Sequence, residues 1–320
     1  MTLILSEITT NWALQVSDRL TTTVGGGQAR PYDVRANKSV ILEAANGIAA
    51  MSFTGLAYLE RAPTDSWLAA KLNGEQYPFD PRTHDSGVRA GIRRASWPQM
   101  GPALMGVAAA LTALASNDGR LREMPVAIAI TGWLWYRRRR WPRAFLAFVT
   151  PSNDGVYRVH WSPRQYGAFF HQMTLPPGYL SAHEQSALGQ RLGALGLVEA
   201  ENELIGTVRQ VAARTRTVGA DCMAIRISHP FEQERIVSAR YAPNDDPGQN
   251  LARNPETPAF VAYSPWVVGR HHLLAPMRMI GAATMWQLGP YSLRLEGPPT
   301  PAMPPRGIAG FEAQQRRPAP

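Results

Sequence analysis

A chain of 320 residues, 45% of them hydrophobic, can bury a substantial core as one large domain or as one domain with an extension. Its single cysteine, Cys222, excludes an internal disulfide and cysteine-rich metal sites, which suits a reducing compartment, so a cytoplasmic location is expected. The formal charge of +9 raises nucleic acid as a partner, but the arginines are spread over Arg89/Arg93/Arg94, residues 137–140, Arg214/Arg216 and Arg316/Arg317 and read as a solvated surface. The most apolar stretch, residues 105–115, is too short to span a bilayer and lacks signal-peptide flanks, so neither a membrane nor a leader is expected.

At the N-terminus, residues 2–8 and 12–17 are two short β-prone runs around a polar Thr9-Thr10-Asn11 turn. They predict a hairpin whose first strand begins at the second residue. Chain ends fray unless a sheet holds them, and here the terminus itself is apolar. Removal of Met1, ahead of a residue as small as threonine, leaves an α-amine and a hydroxyl on Thr2. With a reference pKa of about 7.7–8.0, that amine can act as general base for its own hydroxyl. Threonine activated by an N-terminal amine is a recognised class of nucleophile.

Residues 32–42 and 47–53 read as further strands around an Asn46-Gly47 turn, with Lys38 on the first of them. Gly55 falls where strand gives way to helix, and 63–72 is helical with a cap near Thr64. After a polar loop over 73–97, residues 101–116 form a strongly apolar helix ended by Asn117-Asp118-Gly119. The second half mirrors the first. Residues 125–135, 143–150 and 156–161 are strands, and between the first two lie Tyr136, four arginines, Trp141 and Pro142. That segment reads as a charged hairpin tip that discourages edge pairing, with a nucleic-acid contact as the alternative. Residues 182–197 and 201–215 are amphipathic helices broken near Gly196, and 221–228 and 235–241 are closing strands. A polar linker over 242–257 leads to apolar runs in 260–295, strands or a helix docked on the main body. Residues 297–320 have the proline-rich, basic composition of an unstructured tail.

Thr2 opening a strand, Asp18-Arg19 closing the hairpin, then Lys38 and Gly55 in that order resemble the opening of proteasome β-subunits and their bacterial relatives in the N-terminal-nucleophile (Ntn) hydrolase superfamily. Asp18 stands at the family spacing from Thr2. The interval to Lys38 is longer, with residues 21–30, including Gly25-Gly26-Gly27, as an inserted loop. The resemblance implies an α+β fold, a four-layer αββα sandwich of two antiparallel sheets covered by helices. It spans residues 1–242, followed by a linker and extension over 243–296 and a tail over 297–320.

It also implies roles. Thr2 Oγ is the nucleophile, Lys38 lowers its pKa, Asp18 orients Lys38 and Arg19, and the Gly55 N–H binds the oxyanion. Phe53 and its neighbours line a substrate pocket. Where active relatives carry an Asp-x-x-Ser-Gly stretch, this chain has 214–221. Thr217 and Gly219 stand in support there, Arg214 or Thr215 takes the carboxylate position, and Asp221 comes too late. The implied activity is hydrolysis of peptide or other amide bonds by a homo-oligomer, without cofactor or metal. The missing carboxylate equally admits an inactive scaffold or partner-binding protein of the same fold.

Other candidates carry less. His271 and His272 are adjacent, so on a strand they point to opposite faces, and His160, His171, His183 and His229 lack ligand spacing. Cys222 reads as a buried strand cysteine. Gly25-Gly26-Gly27 lacks the Lys-Ser/Thr of a phosphate loop.

Overall fold

The computed structural model describes residues 2–25, 28–33, 36–74, 88–90, 98–135, 142–162, 169–174, 178–243, 262–269, 272–274, 276, 278–279 and 284–297. The terminal hairpin is β1 (Ile4–Ile8) and β2 (Trp12–Asp18). Its turn closes through the Thr9 hydroxyl, which accepts from the backbone of Asn11 and Trp12. The next pair, β3 (Thr21–Gly25) and β4 (Gln28–Asp33), is a separate two-stranded ribbon where the sequence suggested an inserted loop. In the following hairpin, β5 (Ser39–Ala44) and β6 (Gly47–Thr54), the turn residues are Ala45 and Asn46, one position earlier than expected. The Asn46 side chain is used elsewhere: it accepts from Met100 N at 2.7 Å, where a helix begins.

A small ribbon, β7 (Tyr58–Leu59) and β8 (Ala62–Pro63), leads into α1 (Thr64–Asn73). Thr64 does not cap α1; its hydroxyl donates to Leu56 O. Beyond β9 (Val88–Ala90), the apolar helix α2 (Met100–Asn117) runs 18 residues without a charge. By length and composition alone it is long and apolar enough to cross a membrane. Its Met100, Leu104, Val107 and Leu111 nonetheless pack into the core. Asp118 caps the short α3 (Gly119–Glu123) by accepting from Arg120 N.

Three antiparallel strands follow, β10 (Ala127–Trp135), β11 (Pro142–Pro151) and β12 (Tyr157–Trp161), and then an unanticipated β13 (Phe169–Met173). Helices α4 (Ala182–Leu192) and α5 (Leu197–Arg214) come next, α4 opened by a capping box between Ser181 and Glu184. The chain continues as β14 (Cys222–Ser228), β15 (Ile236–Ala242), β16 (Ala262–Tyr263), β17 (Trp266–Val268), β18 (His272–Leu274), β19 (Arg278–Met279), β20 (Thr284–Leu288) and β21 (Tyr291–Glu296).

These strands make two large sheets. One has seven strands in the order β13-β1-β2-β14-β15-β21-β20; the other has eight, β12-β11-β10-β6-β5-β17-β18-β9. The expected four-layer sandwich of antiparallel sheets is corrected here. The protein is sheet-rich, both large sheets are mixed, and five helices are found among the described residues. The cause lies in the C-terminal segment, whose apolar strands enter both sheets in parallel pairing: β17 beside β5 and β21 beside β15.

Side-chain alternation divides the core. Val40, Met51, Phe53 and Ile128 face α1 and α2, whose Trp67, Leu104 and Leu111 cover them. Leu5, Leu14, Val16 and Ala224 face Leu188, Leu204 and Val208 of α4 and α5. Between the sheets lie Ile41, Ile48 and Trp133 from one and Ile225, Val237 and Leu293 from the other. Each fully buried side chain of this size contributes about 1.5–3 kcal/mol.

Candidate active site

The start of β1 and the end of β2 are neighbours. Leu3 N donates to Asp18 Oδ1 at 2.8 Å, and Asp18 N donates back to Leu3 O. Asp18 Oδ2 accepts from Leu20 N at 3.0 Å, Gly219 N at 3.1 Å and Lys38 Nζ at 3.2 Å. A carboxylate that is 0% exposed needs such partners, because an unpaired buried charge is costly. Lys38, itself 4% exposed, stands just ahead of β5 in the opposite sheet. Its Nζ donates to Thr2 Oγ1 at 2.7 Å, to Asp18 and to Leu20 O, which engages all three ammonium protons. Thr2 N donates to Thr54 Oγ1 at 3.0 Å.

Thr2, Asp18 and Lys38 thus come together across two sheets. Because Lys38 donates to the Thr2 oxygen, the threonine's own proton is free to leave in another direction, and the adjacent cation favours the ionised oxygen. Thr54 escaped the sequence reading. Its signal was the period-2 alternation of β6, which puts it on the same face as Ile48, Ala50 and Ser52, directly before Gly55.

Gly55 adopts φ +103°, and a Cβ there would stand 2.0 Å from Pro125 O, so the position accepts only glycine. Phe53 stands on the opposite face of β6 from Thr54. At 4% exposed it packs in the core under α1 and α2. Arg19 turns toward Ala36 O, with which Nε makes a 3.2 Å hydrogen bond, and toward the Tyr241 ring, 5.1 Å from its guanidinium.

From 214–221 it is a backbone group that reaches the cluster, the Gly219 N–H on Asp18. A Cβ at Gly219 would stand 2.7 Å from Leu20 Cβ, which accounts for the glycine. Thr217 is half-buried and meets the Tyr179 hydroxyl at 2.6 Å and the Thr215 hydroxyl at 3.0 Å. Arg214 pairs with Glu184 at 2.7 Å, and Asp221 accepts from the Tyr241 hydroxyl.

A second buried acid supports the lysine's segment. Asn37 Nδ2 donates to Asp65 Oδ2 at 3.0 Å, and Asn37 Oδ1 accepts from Ser39 N. Burial pushes the Asp65 carboxyl up to about 7, against the lowering pull of the Ser66 backbone and Asn37.

Elsewhere, Cys222 is buried and burial raises its thiol far above the ordinary range. His171 lies against Phe148 and His229 against Trp133, both lowered by burial. Among the described residues no group of acidic, histidine or cysteine side chains could hold a metal. His271, Gly26, Gly27 and residues 137–140 lie outside the described residues.

No protein-family model and no curated protein matches the chain. Among solved structures it is similar to Anbu from Hyphomicrobium sp. strain MC1 at 14% identity and TM-score 0.46, covering 79% of this chain and 92% of that one. It is also similar to Anbu (ancestral beta-subunit) from Yersinia bercovieri, at 11% identity and TM-score 0.45 over 78% and 89% of the two chains. A third is the helical assembly of the Anbu complex from Pseudomonas aeruginosa, at 11% identity and TM-score 0.43 over 81% and 98%. The expected membership of the Ntn hydrolase superfamily is corrected: no family model or curated protein supports it, and the likeness to the Anbu structures is distant.

Proposed function

We propose that the protein is a threonine-type hydrolase of peptide or other amide bonds, with Thr2 as nucleophile once Met1 is removed. The observation that carries this reading is the 2.7 Å contact of Lys38 Nζ with Thr2 Oγ1 inside a buried, fully hydrogen-bonded Lys38–Asp18 pair. Removing Met1 turns the Thr2 peptide nitrogen into an amine, held by Thr54. Thr2 Oγ attacks the carbonyl carbon and its proton passes to that amine. The Gly55 N–H steadies the oxyanion, the amine then protonates the departing nitrogen, and water releases the acyl group from Thr2. Lys38 keeps the developing alkoxide low in energy and Asp18, held by Gly219, keeps Lys38 in place. Arg19 and Thr217 act at one remove, through Ala36 and Tyr179.

Intact-mass measurement of the native protein tests the first requirement, and labelling by a peptide β-lactone tests the second. Loss of Met1 with labelling of wild type but not of Thr2→Ala is expected. Retained Met1, or an unlabelled free Thr2, removes the reading. A non-catalytic scaffold or partner-binding role then stands, favoured by Arg214, which puts a cation paired to Glu184 where a carboxylate was expected.

A homo-oligomer is proposed in either case. Its support is the outer side of α2, which carries no charge and leaves Met105 65% exposed. Light scattering of wild type and Met105→Lys tests it: a monomer in both rejects it.

A further inference from the structure

Six side chains form an unbroken hydrogen-bonded row in the layer between the sheets. Gln15 stands opposite Ser6 on β2 and β1, and Ser39 opposite Ser52 on β5 and β6. These four, with Ser17 and Thr131, are at most 1% exposed. Ser52 Oγ donates to Gln15 Oε1 at 2.7 Å. That uses the Ser52 proton, so Ser39 must donate to Ser52 across 2.7 Å and Ser17 to Ser39 across 3.3 Å, in one sense throughout. At the other end Gln15 Nε2 lies 3.0 Å from Thr131 Oγ1, 3.2 Å from Ala129 O and 3.3 Å from Ser6 Oγ. Its two protons share three acceptors.

Apolar contact between stacked sheets has no direction and tolerates a small slide, whereas hydrogen bonds weaken steeply with displacement. The row starts at Ser17 and Ser39, the residues covalently next to Asp18 and Lys38, and one glutamine ties its other end to two strands of the opposite sheet. We propose that Gln15 is a positioning residue that sets the register of the seven-stranded sheet against the eight-stranded one and so brings Lys38 Nζ to Thr2 Oγ1. Its effect on reactivity rests on the threonine-hydrolase reading; its effect on geometry does not.

The test compares wild type with Gln15→Leu and with Gln15→Leu/Ser52→Ala/Thr131→Val. The single change strands the Ser52 and Thr131 hydroxyls and destabilises the fold, while the triple change removes both and lets Ser39 turn its proton to Ser17, 3.3 Å away. Urea unfolding is expected to show stability recovered in the triple variant. Its second-order rate of β-lactone labelling at Thr2 stays at least roughly tenfold below wild type, about 1.4 kcal/mol. Its crystal structure shows Lys38 Nζ beyond hydrogen-bond reach of Thr2 Oγ1. Labelling that returns together with stability overturns the proposal, as does an unchanged contact. Should the triple variant not fold, Gln15→Asn, whose amide falls one carbon short, is read the same way, and a wild-type rate with an unchanged contact in it overturns the proposal. If wild type itself is never labelled, the hydrolase reading fails and the crystallographic distance alone decides the positioning role.

Discussion

Lys38 Nζ and Thr2 Oγ1 stand 2.7 Å apart although they belong to different sheets, and Asp18 accepts from the same ammonium group. Removing the lysine's charge leaves Asp18 buried against three backbone N–H groups without its paired ammonium. Lys38→Met is therefore expected to cost about 3–5 kcal/mol of stability, measured by urea unfolding, and to abolish β-lactone labelling. A change below roughly 1 kcal/mol would show that the pair adds little to the fold.

Thr54→Val keeps the shape of the side chain and removes the acceptor of the Thr2 nitrogen. The loss of one buried hydrogen bond is expected to cost about 1–2 kcal/mol. Labelling at Thr2 should fall by roughly tenfold or more as the amine loses its hold. Unchanged labelling kinetics would relieve Thr54 of any part in orienting the nitrogen.

Two buried acids set a pH dependence. Burial raises Asp65 from 3.8 to about 7 and Glu7 from 4.5 to about 7, and among the described residues Glu7 Oε1 has no hydrogen-bond partner. Unfolding lets each proton go near its ordinary value, so between about pH 4 and 7 the folded state holds more protons than the unfolded one. Their contribution is therefore full below pH 4, lost as pH rises to about 7, and level above it. Asp65→Asn with Glu7→Gln should flatten this slope and raise stability at pH 8 by a few kcal/mol, on the order of 1.36 kcal/mol for every tenfold difference in proton affinity that is removed. Equal slopes in chemical denaturation from pH 4 to 8 would contradict it.

Gly55→Ala forces a side chain into φ +103° and against Pro125 O. The backbone alone costs about 1–3 kcal/mol, with the clash in addition. Calorimetry should find the melting temperature several degrees lower; an unchanged value would mean that the Pro125 segment yields freely.

Cys222 is fully buried and its thiol is raised by burial. It is expected to resist a colorimetric disulfide reagent in the native protein and to react stoichiometrically in denaturant. Prompt native reaction would place a mobile opening at the start of β14.

The N-terminal hairpin, β6, β10 and the amphipathic α5 were legible because each carries its own periodicity, 2 or 3.6, in one continuous run. Thr2, Asp18, Lys38 and Gly219 were picked out by the resemblance to proteasome β-subunits, and the structure places them in hydrogen-bond contact. That Phe53 faces the helices was not legible, because spacing from Gly55 says nothing about which face of β6 a side chain takes, and the odd positions of that strand point at α1 and α2. Gln15 passed unnoticed since a glutamine in an alternating strand reads as a solvent-facing residue; only the second sheet makes it interior. The mixed character of the sheets was hidden for a similar reason. Val268 and Leu293 look like strand residues in any pairing, and parallel partners more than fifty residues away leave no local trace.

Those parallel partners bear on how the chain is made. Trp266 pairs with Val40, and Ser292 with Ile236. During synthesis β5 and β15 emerge early yet keep an exposed edge until residues 266–296 arrive. Open edges of this kind invite pairing with other nascent chains, and distant contacts close slowly. The half-made protein is thus the vulnerable species, and a ribosome that stalls between β15 and β17 would release a chain prone to aggregate rather than a smaller working domain.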